Sequence, residues 1–117
     1  MVIRQGEVFW VDVGDPMGSA PGYRRPYVVI QNNSVNHTRI RTVILCALTA
    51  NRGLASALGN VALEAGEGGL PEQSVVNVSQ VFTVDKEYLT ERIGMLSAAR
   101  VSEILDGLQL LTEPREP

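Results

Sequence analysis

Short apolar segments alternate with polar segments and with segments rich in glycine and proline over residues 1–96. The apolar segments are dominated by β-branched and aromatic side chains, which favour strands. In the first of them both alternating sets of side chains are largely apolar, which indicates burial on both faces of the strand. We predict strands at residues 7–13, 27–30, 42–48, 60–64, 74–77, 80–83 and 93–96.

The segments between these strands are predicted to be irregular. Residues 14–24 contain three glycines and two prolines, which is incompatible with a regular element. Residues 32–41 are polar and typical of a loop or hairpin tip, and residues 65–70 are typical of a turn. Residues 50–59 fit either a loop or one helical turn, while residues 84–91 are polar and compatible with a 3₁₀ turn.

The spacing of apolar residues changes after residue 96. Ser97 is a good N-cap, and apolar residues then recur at helical spacing. This pattern predicts an amphipathic helix of about four turns in spite of Gly107. The apolar positions are Val101, Ile104, Leu105, Leu108 and Leu111.

Many short strands, tight turns and one terminal helix predict a mainly β (α+β) fold. A small, strongly bent β-barrel with a C-terminal amphipathic helix fits this pattern best, and a flatter β-sandwich is the alternative. A chain of 117 residues has room for one ordinary core. We therefore predict a single domain over residues 1–117.

Composition narrows the functional class. The chain is 44% hydrophobic and 20% charged, which are globular values. It has neither an apolar run of roughly 20 residues, as a membrane span requires, nor the apolar stretch of a signal peptide at its start. We predict a cytoplasmic protein that does not enter a membrane.

Charge is divided unevenly along the chain. Residues 1–60 carry six arginines against three acidic residues, whereas residues 61–117 carry four basic residues against ten acidic ones. Such asymmetry indicates a polyanionic partner on one face. The arginine preference of the first half would be explained equally well by genomic composition.

Several kinds of chemistry are excluded. Cys46 is the only cysteine and lies in an apolar strand, so we predict a buried small hydrophobe rather than a nucleophile or a metal ligand. His37 is the only histidine, in a polar loop, and cannot form a two-histidine acid–base pair within one chain. Glu7 and Asp12 are five residues apart and fall on opposite faces of a strand. We predict no metal site and no cofactor.

The remaining candidates are Arg24 and Arg25, which follow the glycine- and proline-rich loop, and Thr49 at the end of an apolar strand. If the second and third strands are neighbours, Arg25 and Thr49 converge at one edge of the barrel. A guanidinium and a hydroxyl together bind a phosphate well. By spacing alone this signal is weak, because a surface arginine beside a proline is common and a strand-end threonine is commoner.

The order of these motifs is similar to that in a known family. Gly-Glu-Val-Phe-Trp-Val-Asp-Val opens the chain at residues 6–13, and Arg-Pro-Tyr-Val-Val-Ile-Gln-Asn follows at residues 25–32. Further matches are Gly18-Ser19, Ala-Leu-Thr-Ala at residues 47–50, and Ser-Val-Val at residues 74–76. With Gln80, Thr83, Asp85 and Lys86 downstream, the chain closely resembles the MazF/PemK family of toxin endoribonucleases.

The resemblance implies an SH3-like barrel, a homodimer and metal-independent cleavage of single-stranded RNA. It also implies a cognate antitoxin whose flexible tail covers the RNA groove. The family's catalytic arginine and threonine fall on Arg25 and Thr49. Gly18 and Ser19 fall in the loop beside the site, and Ser74 and Gln80 on the RNA-facing surface.

Further RNA contacts follow from chemistry, and three positions depart from the family pattern. Trp10, Tyr23 and Tyr27 could stack on bases, although a core position is the more ordinary role for Trp10. Arg24 replaces a small or apolar residue of the family and is either a phosphate contact or a surface charge. Ser79 and Phe82 stand where many members have an acid and an arginine, so the cleavage sequence of relatives should not be transferred.

The mechanism implied is attack by the RNA 2′-hydroxyl on the adjacent phosphorus. Arg25 would stabilise the charged intermediate and Thr49 would help to fix the in-line geometry, while the general base stays unassigned. A gyrase-inhibiting toxin that resembles CcdB on the same fold, and a barrel that only binds peptide or RNA, are the rival interpretations.

Overall fold

Six antiparallel strands form one curled sheet in the computed structural model, which describes residues 2–14 and 24–115. The order across the sheet is β4-β5-β3-β2-β1-β6, so β2 and β3 lie side by side near its middle. The strands are β1 (Glu7–Asp12), β2 (Arg24–Val29), β3 (Thr42–Thr49), β4 (Val61–Leu63), β5 (Ser74–Asp85) and β6 (Glu91–Met95).

Two α-helices accompany the sheet, α1 (Asn33–Asn36) and α2 (Ala98–Thr112). Single 3₁₀ turns occur at Arg52–Ser56, Glu67–Gly69 and Lys86–Tyr88. Ser97 caps α2, since its side chain accepts a hydrogen bond from the backbone N–H of Arg100. In the part of the chain that the structure describes, no helix is both long and apolar enough to cross a membrane.

The predicted fold is confirmed: a strongly curved sheet of short strands with one C-terminal helix. The 3₁₀ turn within residues 84–91 is also confirmed, and residues 50–59 contain a 3₁₀ turn rather than only a loop. Most of the predicted loop at residues 14–24 lies outside the described residues. Its last residue, Arg24, already belongs to β2, where it is paired with Asp12 of β1.

Two local predictions were wrong. Residues 74–77 and 80–83 are not separate strands but parts of the 12-residue strand β5. The register slips between them, because Cys46 pairs with Val81 while Ala47 pairs with Asn77. The unpaired residues form a bulge, which bends a strand without ending it.

The predicted loop at residues 32–41 begins with a helical turn. Asn32 caps this turn by accepting a hydrogen bond from the N–H of Ser34 at 2.7 Å. Asn36 is buried, where it accepts from Gln31 Nε2 at 2.9 Å and donates to the Gln31 carbonyl at 2.8 Å. A side-chain amide that satisfies the backbone in this way lets a polar segment fold inward.

The central strands are buried on both faces. Val8 and Phe9 are neighbours in β1 and are respectively 0% and 1% exposed, although their side chains point to opposite sides of the sheet. One apolar cluster, which includes Val8, lies between the sheet and α2. The other, which includes Phe9, covers the opposite face. Two-sided burial explains why these strands show no clean apolar–polar alternation.

Helix α2 packs on the sheet through a close contact between two glycines. Gly107 is buried on the inner face of the helix, next to Ile104. A Cβ atom at Gly107 would overlap the carbonyl oxygen of Gly59. Glycine at this helical position is therefore explained by the approach of two backbones rather than by local helix preference.

We expect Gly107→Ala to destabilise the fold. Alanine would favour an unhindered helix by about 1 kcal/mol, but overlap with Gly59 costs typically 1–3 kcal/mol. Urea unfolding should therefore show a net loss of stability. Ser102→Ala, at an exposed position of the same helix, is the control and should be neutral or stabilising. A more stable Gly107→Ala protein would contradict the close packing.

An ion pair between Glu67 and Arg100 also ties α2 to the sheet. Arg100 Nε and Nη2 donate to Glu67 Oε1 and Oε2, each at 2.9 Å. These bonds, and one from the Glu64 backbone N–H, lower the pKa of Glu67. A carboxyl group with a lowered pKa in the folded state stabilises the fold above its unfolded pKa of about 4.3.

We expect Glu67→Gln to lower the free energy of unfolding by about 1 kcal/mol at neutral pH. The difference from the wild type should shrink as pH falls through the folded-state pKa of Glu67, because the wild-type carboxylate is then protonated. Urea unfolding between pH 7 and pH 3 measures this. Glu103→Gln removes the more exposed partner of Arg100 and should have the smaller effect. A constant difference at all pH values would contradict the assigned role.

Candidate functional site

The ladder between β2 and β3 brings Arg25 and Thr49 together. Tyr27 of β2 lies opposite Ala47 of β3. Two residues further along the same antiparallel register, Arg25 is opposite Thr49, and both side chains leave the same side of the sheet. The sequence-based expectation that these two residues converge at one edge therefore agrees with the observed strand order.

Both side chains line a cavity of about 220 Å³, which we call the Arg25–Thr49 cavity. It lies below the range of roughly 300–1,000 Å³ typical of sites that enclose a whole small molecule. A site of this size suits one segment of a longer ligand. Its described lining residues are Trp10, Arg24, Arg25, Pro26, Leu48, Thr49, Ala50, Leu70, Pro71, Glu72 and Ser74.

A second cavity is larger, about 650 Å³, and shares no described lining residue with the Arg25–Thr49 cavity. Asp12 and Asp85 are its acidic lining residues, while Phe82 and Val84 are apolar. None of the predicted site residues lines it. We therefore take the Arg25–Thr49 cavity as the candidate site on chemical grounds and not on volume.

Thr49 is positioned with its proton available. Its Oγ1 accepts a hydrogen bond from the Asn51 backbone N–H at 3.1 Å. Among the described residues, the Thr49 hydroxyl donates no hydrogen bond. A hydroxyl whose oxygen is fixed by one bond can direct its proton towards a bound oxyanion.

Arg24 and Arg25 are adjacent in sequence but differ in surroundings. The Arg24 guanidinium lies 4.9 Å from the centroid of the Trp10 ring and is ion-paired with Glu91. Arg25, one residue on, leaves the opposite side of the strand. Trp10 is half-buried and lines the cavity, so it combines a packing role with access to a ligand.

The positive charge of Arg25 acts on Tyr27, which lies in the neighbouring core. Burial raises the pKa of Tyr27, the positive charge of Arg25 lowers it, and the negative charge of Asp12 raises it. The Tyr27 hydroxyl is buried and has no hydrogen-bond partner among the described residues. Its ring packs edge-to-face against Phe82, with the ring centroids 5.6 Å apart. Because Tyr27 is 0% exposed, the prediction that it could stack on a base was wrong.

The other predicted RNA-contact residues are distributed differently. Ser74 lines the cavity but is buried, and its hydroxyl donates to the Glu72 carbonyl at 3.1 Å. Gln80 lies in the bulge of β5 and is not among the residues that line the cavity. Gly18, Ser19 and Tyr23 lie outside the described residues.

Sequence reasoning missed the segment that closes one side of the cavity. Leu70, Pro71 and Glu72 line it between β4 and β5. Nothing in their spacing marks a site, since a proline followed by an acid is ordinary in a turn. Only the curl of the sheet brings this segment opposite Arg25 and Thr49.

Cys46 and His37 contribute nothing to this cavity. The Cys46 thiol is buried and donates to the Asn77 carbonyl at 3.2 Å, and burial raises its pKa to about 12. The prediction of an inert core cysteine is confirmed. His37 is exposed and lines a separate cavity with Lys86. Over the described ranges, no three His, Cys, Asp or Glu side chains lie together as metal ligands would.

Related proteins match nearly the whole chain. Endoribonuclease MazF6 of Mycobacterium tuberculosis is 44% identical over 109 residues, which are 93% of this chain and 96% of the relative. Endoribonuclease EndoA of Bacillus subtilis is 32% identical over 110 residues, which are 94% of each chain. Both relatives are therefore similar to this chain over their full length and not only over a motif.

Solved structures agree with the fold. MazF of Deinococcus radiodurans superimposes with a TM-score of 0.78 at 21% identity, covering 97% of this chain and 99% of that one. A mycobacterial endoribonuclease in complex with its cognate antitoxin superimposes with a TM-score of 0.77 at 23% identity, covering 97% of this chain and 99% of that one. At these identities the likeness shows a shared fold.

The family assignment rests on the sequence as a whole. Residues 4–112 match the model of the PemK-like, MazF-like toxins of type II toxin–antitoxin systems. This range runs from the segment before β1 to the last residue of α2, and so includes all six strands. The resemblance inferred from the opening strand, the Arg-Pro motif and the Thr49 segment is confirmed, and the chain belongs to the PemK-like, MazF-like toxin family.

Proposed function

We propose that this protein is an endoribonuclease toxin that cleaves single-stranded RNA in the Arg25–Thr49 cavity. The names of its relatives support endoribonuclease activity. The observation that carries the assignment to this cavity is the juxtaposition of a guanidinium and a hydroxyl on neighbouring strands. Together they provide the donors that a phosphodiester requires.

The proposed reaction uses the nucleophile of the substrate. The 2′-oxygen of one nucleotide attacks the adjacent phosphorus in line with the 5′-oxygen of the next nucleotide. The bond from phosphorus to that 5′-oxygen breaks, which leaves a 2′,3′-cyclic phosphate and a 5′-hydroxyl. The protein needs to hold this geometry, to stabilise the added negative charge and to manage two protons.

Arg25 supplies the charge stabilisation in this proposal. Its guanidinium remains protonated at all physiological pH values and presents several N–H donors in one plane. Preorganised donors aimed at developing charge are commonly the largest single contribution to catalysis. Because Arg25 is on a paired strand rather than at a loop tip, little reorganisation is needed when charge develops.

Thr49 completes the contact with the phosphate. Its oxygen is held by Asn51, so its proton can be directed at a phosphoryl oxygen. A second donor from a different strand fixes the orientation of the phosphate as well as its position. Orientation is what converts a bound phosphodiester into one aligned for in-line attack.

RNA on either side of the cut is proposed to run over the rest of the cavity and its rim. Trp10 offers an aromatic face for a base, and Arg24 offers a charge that Glu91 already partly neutralises. Gly18, Ser19, Tyr23, Ser74 and Gln80 remain predicted RNA-binding residues. Sequence specificity is proposed to arise from edge contacts to unpaired bases.

The partners proposed are a second copy of the chain and a cognate antitoxin. Support for the antitoxin comes from the solved complex of a mycobacterial endoribonuclease with its own antitoxin. We further propose that the protein acts in the cytoplasm, where single-stranded RNA is available, without a metal or another cofactor. The alternative of a gyrase-inhibiting toxin, which would leave purified RNA intact, is not favoured by relatives that are named endoribonucleases.

We expect Arg25→Ala and Thr49→Ala each to reduce RNA cleavage by at least about 100-fold, since one preorganised donor is typically worth 10²–10³ in rate. The measurement is cleavage of total RNA and of a defined oligonucleotide in the presence of EDTA. Matched controls are Arg39→Ala, at an exposed loop position, and Thr42→Ala, at the other end of β3. Normal cleavage by both site variants would refute the site.

The single tryptophan provides a binding signal that does not depend on cleavage. A 2′-methoxy oligonucleotide lacks the nucleophile and should bind without being cut. Because Trp10 lines the cavity beneath Arg24, we expect binding to change its fluorescence. Affinity should fall steeply with added salt, as phosphate contacts predict.

Arg24→Ala is the check on the origin of the fluorescence signal. It removes the cation above the ring, so the fluorescence without RNA should also change. If the same RNA concentration half-saturated the fluorescence change at low and at high salt, binding through phosphates would be contradicted.

A further inference from the structure

In-line attack requires a group that removes the 2′-hydroxyl proton. Arg25 is permanently protonated, and a threonine hydroxyl is not basic at neutral pH. Ser74 donates its own proton to the Glu72 carbonyl. Of the described residues that line the Arg25–Thr49 cavity, Glu72 is the one whose side chain is a proton acceptor.

Other bases among the described residues are committed elsewhere or lie apart. His37 is the only histidine of the chain and lines a different cavity with Lys86. Glu91 is ion-paired with Arg24. Asp12 lines the larger cavity and not the Arg25–Thr49 cavity.

The backbone that carries Glu72 is held on both sides. Leu70 before it is 4% exposed and Ser74 after it is 7% exposed, and the Ser74 hydroxyl bonds to the Glu72 carbonyl. Gln73 accepts a hydrogen bond from Arg52 Nη1 at 2.6 Å. Preceded by Pro71, which restricts the chain further, Glu72 sits on a segment with little freedom.

The Glu72 side chain, in contrast to its backbone, is not held by other residues that the structure describes. Glu72 is exposed, and its side chain makes no hydrogen bond or ion pair with any part of the chain that the structure describes. A fixed backbone with an unengaged carboxylate, lining the same cavity as a guanidinium and a hydroxyl, is an arrangement that suits a general base.

We propose that Glu72 is the general base of the RNA cleavage reaction, an inference that rests on the proposed function. The 2′-hydroxyl proton passes to the Glu72 carboxylate as the 2′-oxygen forms its bond to phosphorus. The bond from phosphorus to the 5′-oxygen then breaks, and its electron pair stays on that oxygen, which takes a proton from water. Glu72 returns its own proton to solvent, so protons and electrons balance.

A carboxylate without this role would only repel RNA. Each negative charge beside the cavity opposes phosphate binding. Neutralising an idle Glu72 should therefore tighten RNA binding and speed cleavage at low substrate. Neutralising a general base should instead lower kcat while KM stays constant or falls, so the two roles give opposite results.

The test is steady-state cleavage of a defined oligonucleotide by the full-length protein. We expect Glu72→Gln to lower kcat by about 100-fold or more without raising KM. In this variant log kcat should rise by one per pH unit across neutral pH, because hydroxide must replace the missing base, whereas the wild-type profile levels off. Glu72→Asp keeps the carboxylate and should recover part of the rate.

Asp106→Asn is the matched control, since it removes an equal charge from an exposed position of α2 that does not line the cavity. It should leave kcat and the pH profile unchanged. Circular dichroism and urea unfolding should show Glu72→Gln folded like the wild type. If Glu72→Gln is not folded like the wild type, Glu72→Asp provides the test. A pH profile like that of the wild type with a reduced kcat supports Glu72 as the base, and a wild-type kcat refutes it.

The outcomes separate this inference from the proposed function. If the wild type cuts RNA, Arg25→Ala does not and Glu72→Gln cuts normally, Glu72 is not the base while the proposed site stands. Asp15 lies outside the described residues and is another acidic residue of the chain. If Asp15→Asn lowers kcat and alters the pH profile while Glu72→Gln does neither, the inference is also wrong. If the wild type leaves RNA intact, both proposals fail together.

Discussion

The antiparallel ladder between β2 and β3 is the constraint on which the rest of this structure depends. It pairs Tyr27 to Val29 with Ala47 to Leu45 in the middle of the sheet, where the side chains of both strands are buried. The same register, continued to the strand ends, places Arg25 opposite Thr49. A slip of one residue would move every apolar side chain of β2 to the wrong face, so the core fixes the geometry of the site.

Side chains alternate between the two sides of β2, and this alternation separates its two arginines. Arg24 leaves one side and is held by Glu91 and the Trp10 ring, while Arg25 leaves the other, beside Thr49. Two adjacent arginines therefore differ in surroundings although they differ by one position in sequence. Arg25, Thr49 and Glu72 bring a cation, a hydroxyl and a carboxylate to the lining of one cavity.

The features that hold α2 are separate from this cavity. The contact between Gly59 and Gly107 and the ion pair of Glu67 with Arg100 act on the helix, and none of these four residues lines the cavity. Stability and activity can thus be perturbed separately, because packing effects on distant, independent sites are usually additive.

Sequence by itself determined the class of fold, because β-branched composition, turn residues and helical period are local properties. The order of short motifs along the chain indicated the family, and it was this resemblance, rather than their spacing, that marked Arg25 and Thr49. The helical spacing of apolar residues located α2, but Gly107 is unfavourable in a helix by itself and is explained only by its contact with Gly59. Tertiary structure alone decided that residues 74–85 form one bulged strand, that Asn36 is buried, and that Glu72 lines the same cavity as Arg25. Each of these depends on contacts between residues far apart in the chain, which no local pattern encodes.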